Sequence, residues 1–376
     1  KINVYEYSLL EDEFEMIEGV SIQAPDWNDA TPIITTVYNE SNKLIESYIA
    51  IYSPSKSLLN LYTYSLIEDK IVGILSDCNL KGLVSDIEGN GEDVVRLEVG
   101  EEFQNININD VKIVSSYNKS MNLPHVMIGV RGEYLYTDSQ DKIQNDEIIY
   151  FYDYFPIVDD RLTLSELNTV GKVDNWDTKL TWSNTTQTNL LTLIKHNGNN
   201  LDFLKAMPII DDYFEEIEEL SKIPKYKSEN EEKIIEHNDI KKLAYASFMD
   251  KASNLTKTVL VLNISGELYQ INGNIELEEW DEVHKIEDDS IGDLELAAIK
   301  GDISSVHLID KPIAKNYFNK ELDIEIAVFD QKSDTRTIVK NKYHFRIYSN
   351  FDIEYETKDK KRDLRNWNKE DIGYIQ

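Results

Sequence analysis

The residues whose types and spacing could do chemistry form one short acidic stretch, Asp86-Ile-Glu-Gly-Asn-Gly-Glu-Asp-Val-Val. Oxygen-bearing side chains occupy alternate positions there, with glycines that allow a tight turn, and a hard cation such as calcium is bound by several oxygens from a tightly turned backbone. A plain Asn-Gly hairpin turn with solvated acids fits the same residues, so we assign no metal ligand.

Signatures of other chemistry are few. The six histidines, at 125, 196, 237, 284, 307 and 344, are scattered without zinc-ligand spacing, and we expect each to be a surface or strand residue. The sequence has no Gly-x-Ser-x-Gly, no Walker loop and no Gly-x-Gly-x-x-Gly after a strand. We therefore predict that the chain is not an enzyme, with no catalytic residue, no cofactor-binding residue and no cofactor. A glycosidase-like pair among the 70 carboxylates cannot be argued for or against from sequence.

The chain is strongly acidic along its whole length. It has 39 basic and 70 acidic residues and a formal net charge of −31. Such a surface repels phosphate backbones, so direct nucleic-acid binding through a broad face is not expected. The expected partners are other protein subunits that carry basic segments, while dispersed charge that serves only solubility is the simpler alternative.

Cysteine usage and hydropathy bear on the compartment. Cys78 is the only cysteine, which excludes an internal disulfide framework and suits a reducing compartment. No run of about 18 apolar residues exists, so no membrane span is predicted. The chain begins at Lys1 without a signal-peptide pattern, so we expect it to start inside a longer or processed protein. An intracellular location, nuclear or cytoplasmic, is the prediction.

The element that organises the chain runs from Thr178 to Leu204. It reads as strand, turn, strand, turn, strand, with polar residues at 184–189 and 196–200 forming the turns. A single meander of this kind cannot bury both faces, so it needs similar sheets beside it. The 22 tyrosines and 11 phenylalanines also favour strands over helices. The chain is therefore predicted to be mostly β.

Similar meanders return along the chain, with corresponding strands roughly 55 to 75 residues apart. Arg131-Gly132 is predicted as a tight connection, Ser265-Gly266 as a turn, and Asn272-Gly273 as the close of a unit. The predicted strands lie at 1–7, 33–38, 48–52, 58–64, 111–117, 125–130, 133–136, 148–155, 243–248, 258–264, 267–271, 294–299, 305–309, 324–330 and 343–348. Repeated four-stranded units favour a β-propeller of about six or seven irregular blades in a single domain over 1–376.

Two stretches resemble blades of the WD-repeat class of propellers. Leu-Thr-Trp-Ser at 180–183, followed by Asn-Leu-Leu-Thr-Leu-Ile, is similar to one blade, and 245–248 with 258–263 and Ser-Gly-Glu-Leu-Tyr is similar to another. The Gly-His and closing Trp-Asp markers are missing, and Trp176-Asp177 stands ahead of a predicted strand. The Asp86 loop also resembles the calcium loops of bacterial integrin-like repeat propellers, although it occurs once. This resemblance implies Asp86, Glu88 and Asn90 as calcium ligands, but the ninth position, where such a loop has its last acidic ligand, is Val94.

Two charged segments depart from the strand pattern. In the acidic insertion 208–238, Tyr213, Phe214, Ile217 and Leu220 are spaced as one face of a short helix that Pro224 ends. This insertion is either a decorated loop or an element that docks a small apolar stripe onto a partner. The basic cluster 358–365 is predicted to be a solvated terminal loop, with a salt bridge or a phosphate contact in an assembly as its functional alternative.

The resemblance to WD-repeat propellers implies a scaffold for protein–protein interactions inside a multi-subunit eukaryotic assembly. Propellers suit this role because blade loops converge on rigid faces. The alternative is a secreted or lipid-anchored bacterial propeller that binds calcium or glycan through the Asp86 loop. A carbohydrate-cleaving enzyme on the same scaffold is a third class.

Overall fold

The described part of the chain consists mainly of antiparallel strands, in the computed structural model of the protein. The chain divides into two compact units. Unit 1 consists of Lys1–Ser115, Leu123–Gly171 and Trp367–Ile375, and unit 2 consists of Ser116–Asn122, Lys172–Asn366 and Gln376. The residues that the structure describes are 2–8, 13–22, 27–38, 44–65, 70–81, 106–137, 143–156, 161–227, 232–250, 255–264, 267–285, 303–310, 322–334, 337–348 and 353–355.

Unit 1 contains three antiparallel sheets among its described residues, named A to C in chain order. Their strands are β1 (Ile2–Ser8) and β2 (Glu13–Ile22) in sheet A, β3 (Thr31–Tyr38), β4 (Leu44–Ser53), β5 (Leu58–Ser65) and β6 (Lys70–Asn79) in sheet B, and β7 (Asn107–Asn118), β8 (Leu123–Thr137), β9 (Ile143–Tyr154) and β10 (Thr163–Val170) in sheet C.

Unit 2 contains four further sheets among its described residues, named D to G, and one 3₁₀ turn, His237–Asp239. Its strands are β11 (Asn175–Ser183), β12 (Thr188–His196), β13 (Leu201–Ala206) and β14 (Glu215–Glu216) in sheet D, β15 (Tyr226–Lys227) and β16 (Glu232–Lys233) in sheet E, β17 (Ile240–Asp250), β18 (Leu255–Ile264), β19 (Glu267–Asn274) and β20 (Glu279–Lys285) in sheet F, and β21 (Ile303–Asp310), β22 (Leu322–Asp334), β23 (Thr337–Tyr348) and β24 (Ile353–Tyr355) in sheet G.

The predicted fold class is confirmed. Sheets B, C, D, F and G are each four-stranded, with strands that follow one another in chain order and pair antiparallel, which is the blade topology of a β-propeller. In unit 2, β17 of sheet F lies beside β11 of sheet D and β21 of sheet G, so the first strands of successive sheets are neighbours. No helix in the described part of the chain is long and apolar enough to cross a bilayer. The blade number and the single domain over 1–376 stay predictions.

Sheet D explains why the organising stretch was recognisable. Its register pairs Leu180 with Leu191 across the first hairpin and Leu193 with Leu204 across the second. The apolar residues of β12 are buried on both faces of the strand, which produces a continuous apolar run instead of alternation. The predicted inward residues Leu190, Leu191, Leu193 and Ile194 are all buried.

Sheets D and F share one hydrophobic core. Phe203 of β13 packs edge-to-face on Tyr245 of β17, with ring centroids 5.4 Å apart, and on Trp280 of β20 at 5.8 Å. Leu190, Ile194, Leu260 and Ile271 belong to the same core cluster. Each sheet therefore covers the apolar face of its neighbour, as the sequence predicted for stacked meanders.

Two glycine pairs that were predicted to interrupt the strands, Arg131-Gly132 as a tight connection and Asn272-Gly273 as the close of a unit, lie inside strands. Gly132 is in β8 and pairs with Ile148, and Gly273 is in β19 and pairs with Trp280. A β-carbon at Gly132 would lie 2.6 Å from Cγ2 of Ile106 and 3.1 Å from the carbonyl oxygen of Asn107. Glycine is required at position 132 by close packing, so the predicted tight connection at Arg131-Gly132 is wrong. The predicted close of a unit at Asn272-Gly273 is also wrong, because both residues lie within β19 and β20 follows in the same sheet. The predicted Ser265-Gly266 turn and the strand 294–299 lie outside the described residues.

Candidate interaction surface

Four hairpin connections share one five-residue turn. Its first residue is Ser or Asn, whose side-chain oxygen accepts a hydrogen bond from the N–H of the fourth residue. Its fifth residue has a positive φ. The turns are 53–57 (Lys56 N to Ser53 Oγ 3.2 Å, φ of Ser57 55°), 118–122 (Met121 N to Asn118 Oδ1 3.0 Å, φ of Asn122 55°), 183–187 (Thr186 N to Ser183 Oγ 3.4 Å, φ of Gln187 56°) and 274–278 (Leu277 N to Asn274 Oδ1 3.0 Å, φ of Glu278 55°).

Three of these turns lie side by side in unit 2. The Ser120 hydroxyl donates to the carbonyl oxygen of Gln187 at 3.0 Å, which joins turn 118–122 to turn 183–187. The Lys119 ammonium lies 5.7 Å from the ring centroid of Trp182, at the end of β11. The ring of Trp182 is in turn fixed by its Nε1–H, which donates to Oδ1 of Asn184 at 2.8 Å.

Glu276 joins turn 183–187 to turn 274–278. The Ser183 hydroxyl donates to Oε1 of Glu276 at 3.2 Å. The same carboxylate accepts hydrogen bonds from the backbone N–H of Thr256 at 2.7 Å and from its hydroxyl at 2.6 Å. Because Thr256 is fully buried at the start of β18, Glu276 satisfies polar groups of two sheets at once.

A fourth connection, 207–214, lies at the same end of sheet D. It leaves β13 after Ala206, which pairs with Leu191 near the start of β12. The backbone N–H of Met207 donates to Oδ2 of Asp211 at 2.7 Å, and the N–H of Asp211 donates back to the Met207 carbonyl at 2.9 Å. This reciprocal pair closes the connection into a tight loop.

Lys205 ties this connection to turn 274–278. Its ammonium lies 2.6 Å from Oε1 of Glu278 and 3.4 Å from Oε2 of Glu215. Burial acts to lower the pKa of Lys205, but the hydrogen bond to Glu278 and the charge of Glu215 outweigh it, so the net shift of the pKa is upward. Lys205 therefore stays charged and bridges sheets D and F.

The exposed large hydrophobic side chains gather on these connections. Among the described residues there are seven, and five of them are Met121 in turn 118–122, Ile209, Ile210 and Tyr213 in 207–214, and Leu277 in turn 274–278. We name residues 118–122, 183–187, 207–216 and 274–279 the turn surface. The other two are Val72 of β6 and Ile234.

Ile234 lies toward the other end of sheet D. It precedes His237, whose Nδ1–H donates to the carbonyl oxygen of Asn199 at 3.0 Å, in the β12–β13 connection. The neighbouring His196 donates through Nε2–H to the carbonyl oxygen of His237 at 2.9 Å. Two histidines therefore hold this segment against the end of the sheet that is opposite the turn surface.

The insertion 208–238 does not form the predicted helix. Its described residues form turns, the short strands β14, β15 and β16, and the 3₁₀ turn. The N–H of Ile217 donates to the Phe203 carbonyl at 2.8 Å, and the Ser221 hydroxyl accepts from the N–H of Phe203 at 2.9 Å. Edge pairing of β14 to β13 thus takes the place of a regular helix, although one helical-type hydrogen bond forms from the N–H of Ser221 to the Ile217 carbonyl at 2.9 Å. Ile217 and Leu220 enter the core, whereas Tyr213 is 75% exposed, so these residues do not share one face.

Other sequence-based candidates are placed as follows. Asp86, Glu88 and Asn90, and the basic cluster 358–365, lie outside the described residues, so the calcium alternative stays a prediction. In the described part of the chain, no group of three or more His, Cys, Asp or Glu side chains could hold a metal ion. Trp176 and Asp177 lie within β11, not ahead of it.

The histidines whose side chains are described have structural partners. His125 lies in β8 and is fully buried, with Nε2 2.9 Å from Oδ1 of Asp153 and its ring stacked on Phe155 at 4.1 Å. His196 is at the end of β12, where burial lowers its pKa. His125 and His196 are thus strand residues, as expected.

The comparisons with known proteins come from solved structures. No family model matches the chain, and no curated protein matches it. A xylan β-1,4-xylosidase from Bacillus halodurans is 10% identical with a TM-score of 0.43, over 89% of this chain and 56% of its own. An exo-inulinase from Aspergillus awamori is 10% identical with a TM-score of 0.37, over 85% and 62%. The Dos1 propeller is 9% identical with a TM-score of 0.32, over 89% and 74%.

These neighbours are propeller-type folds built from four-stranded antiparallel sheets. The chain spans little more than half the length of the xylosidase. Two of the three structures are named as enzymes, and this finding contradicts the prediction that the chain is not an enzyme. Missing sequence motifs do not exclude an enzyme, because a pair of catalytic carboxylates in a glycosidase carries no local motif. At these TM-scores the names describe those proteins and assign no activity to this chain.

Proposed function

We propose that the chain is a propeller-type interaction platform that binds another protein of a larger assembly through the turn surface. The observation that carries the proposal is the position of the exposed large hydrophobic side chains. Five of the seven in the described residues lie on neighbouring connections at one end of unit 2. Scattered single exposed residues need no explanation, but a set gathered on one face is typical of a binding site.

Rigidity supports the same role. Each connection is fixed by specific hydrogen bonds, and Glu276 and Lys205 link connections from different sheets. Below them, Trp280 donates through Nε1–H to the carbonyl oxygen of Leu220 at 2.9 Å and packs on the shared core. A preorganised face loses little conformational entropy when it binds, so more of the contact energy contributes to affinity. The WD-repeat-like resemblance implies the same use of blade connections.

Photo-crosslinking tests the proposal. A photoreactive amino acid replaces Ile210, Leu277 or Ile234 in the full chain, which is then irradiated in extract of the cells that produce it. Ile234 is a matched control, since it is 56% exposed, compared with 63% for Ile210 and 55% for Leu277. We expect Ile210 and Leu277 to crosslink to the same protein and Ile234 not to do so. Equal crosslinking at all three positions, or none at Ile210 and Leu277, would contradict the proposal.

A further inference from the structure

We propose that the occupant of the turn surface is a basic amphipathic segment of a partner protein. The segment would place apolar side chains on Ile210, Tyr213 and Leu277, and Lys or Arg side chains on the carboxylates between them. The inference rests on the proposed function and adds the chemistry of the partner.

The charge of two connections carries the first step. Residues 207–216 and 274–279 contain seven carboxylates and no basic residue. Two of the carboxylates serve the fold, because Asp211 binds the N–H of Met207 and Glu276 binds Thr256. The other five are exposed, namely Asp212, Glu215, Glu216, Glu278 and Glu279. A partner that covered this face without positive charge would have to desolvate these carboxylates without compensation.

The contacts of Lys205 are the second argument, because they show that carboxylates of the turn surface can bind a cation. A single ammonium contacts Glu278 and Glu215 from two adjacent connections. Lys205 comes from the strand below and balances only part of the charge. The exposed Asp212, Glu216 and Glu279 are the carboxylates that remain for cations of the partner.

The apolar side chains carry the third step. Tyr213 is 75% exposed, and Ile210 and Leu277 are each more than half exposed, within the same acidic segments. Apolar and acidic groups that alternate over one face complement a segment that alternates apolar and basic groups, as in basic amphipathic helices. Nucleic acid and anionic lipid are disfavoured by the same charge.

Peptide binding to the full chain tests the inference. Three labelled peptides are compared by fluorescence anisotropy: an amphipathic Lys/Leu peptide, its Glu/Leu counterpart and its Lys/Ser counterpart. We expect only the Lys/Leu peptide to bind, with an affinity that falls as salt rises. Binding of the Glu/Leu peptide at equal affinity, or no binding of the Lys/Leu peptide, would overturn the inference. Equal binding of the Lys/Ser peptide would also overturn it, because the apolar contacts would then be irrelevant.

Variants locate the binding. The triple variant D212N/E216Q/E279Q should weaken Lys/Leu binding about tenfold, since three surface charge contacts are lost. The matched control D174N/E236Q/D239N removes three exposed carboxylates near the opposite end of sheet D and should bind like the unmodified chain. Equal weakening in both triple variants would show a non-specific charge effect and overturn the inference.

Lys205→Gln gives a result that a purely structural role would not produce. The substitution releases Glu215 and Glu278 for the peptide, so the affinity should rise about threefold in a variant whose melting temperature shows that it is folded. Weaker binding by this folded variant would overturn the inference. If Ile210 and Leu277 crosslink to a protein but the Lys/Leu peptide does not bind, only the inference of a basic amphipathic partner is contradicted. If the crosslinks are also absent, the proposed function as an interaction platform is contradicted as well.

Discussion

The carboxylate of Asp177 on β11 accepts a hydrogen bond from the backbone N–H of Tyr245 on β17, with an Oδ2 to N distance of 2.8 Å. Tyr245 is fully buried, and it pairs with Leu260 of β18 on the other side of its strand. Asp177 thus supplies the acceptor that a neighbouring strand would otherwise provide, and it joins the first strands of sheets D and F. A side chain of this kind positions one sheet against the next without a continuous ladder.

Asp177→Ala should destabilise unit 2. The substitution leaves the buried N–H of Tyr245 without its acceptor, which costs about 1–3 kcal/mol. Asp177→Asn keeps one carbonyl oxygen and should lose less. Urea-induced unfolding, followed by fluorescence of the five tryptophans, measures both variants. Equal losses in the two variants would show that the hydrogen bond does not set the stability.

Asp29 predicts an acid-dependent loss of stability in unit 1. The Ser53 hydroxyl and then the Ser55 N–H, at 2.5 and 2.7 Å, hold its pKa at about 2, below its ordinary value of 3.8. Because the folded pKa is depressed, the contribution is complete above about 3.8 and is lost as the pH falls toward 2. The stability difference between the unmodified chain and Asp29→Asn should therefore shrink in this range.

The measurement for Asp29 is urea unfolding at several pH values from neutral down to about 2. Asp239→Asn, an exposed carboxylate variant in unit 2, is the control for general acid effects. A difference between the unmodified chain and Asp29→Asn that stays constant on acidification would contradict the assigned hydrogen bonds.

Gly273→Ala should destabilise sheet F by about 1–3 kcal/mol. A β-carbon there would lie 2.5 Å from Cε3 of Trp280 and 2.8 Å from the carbonyl oxygen of Glu279, and the backbone atom cannot move aside easily. Gly73→Ala is the matched control, because its β-carbon would be 3.8 Å from the ring of Tyr62 in an ordinary contact. Thermal unfolding of both variants checks the prediction. A similar melting temperature for both would show that sheet F relaxes around the new methyl group.

The same glycines show where sequence reasoning stops. Apolar runs such as 190–194 predicted strands and buried residues correctly, because the burial of a residue follows from its own side chain and its neighbours in sequence. Gly132 was predicted to lie in a connection and Gly273 at the close of a unit. Glycine is favoured both in turns and where another residue packs closely on the backbone, so the residue type alone does not separate the two cases. Only the partner that packs on the glycine distinguishes them, and Ile106 and Trp280 are brought there by the sheet.

The turn surface was also hidden in the sequence. Met121, Ile210 and Leu277 are far apart along the chain, and they share a face only because turns and registers bring their connections to one end. The repeated Ser or Asn with a polar residue four positions later was a usable signal for three of these turns. The apolar spacing at 213–220 predicted a helix, and this prediction was wrong. The hydrogen bond from the Ile217 N–H to the Phe203 carbonyl is a tertiary contact, which local spacing cannot reveal.

His196 predicts that unit 2 loses stability on mild acidification. Burial lowers its pKa from the ordinary 6.5, and the hydrogen bond to the His237 carbonyl only partly opposes this shift. Because the folded pKa is depressed, the neutral ring stabilises the fold above about 6.5, and this contribution is lost as the pH falls below that value. His196→Gln, which keeps a donor toward the His237 carbonyl and does not titrate, should weaken this pH dependence. Urea unfolding at pH values above and below 6.5 measures it, and an unchanged pH profile in His196→Gln would assign the dependence to other groups.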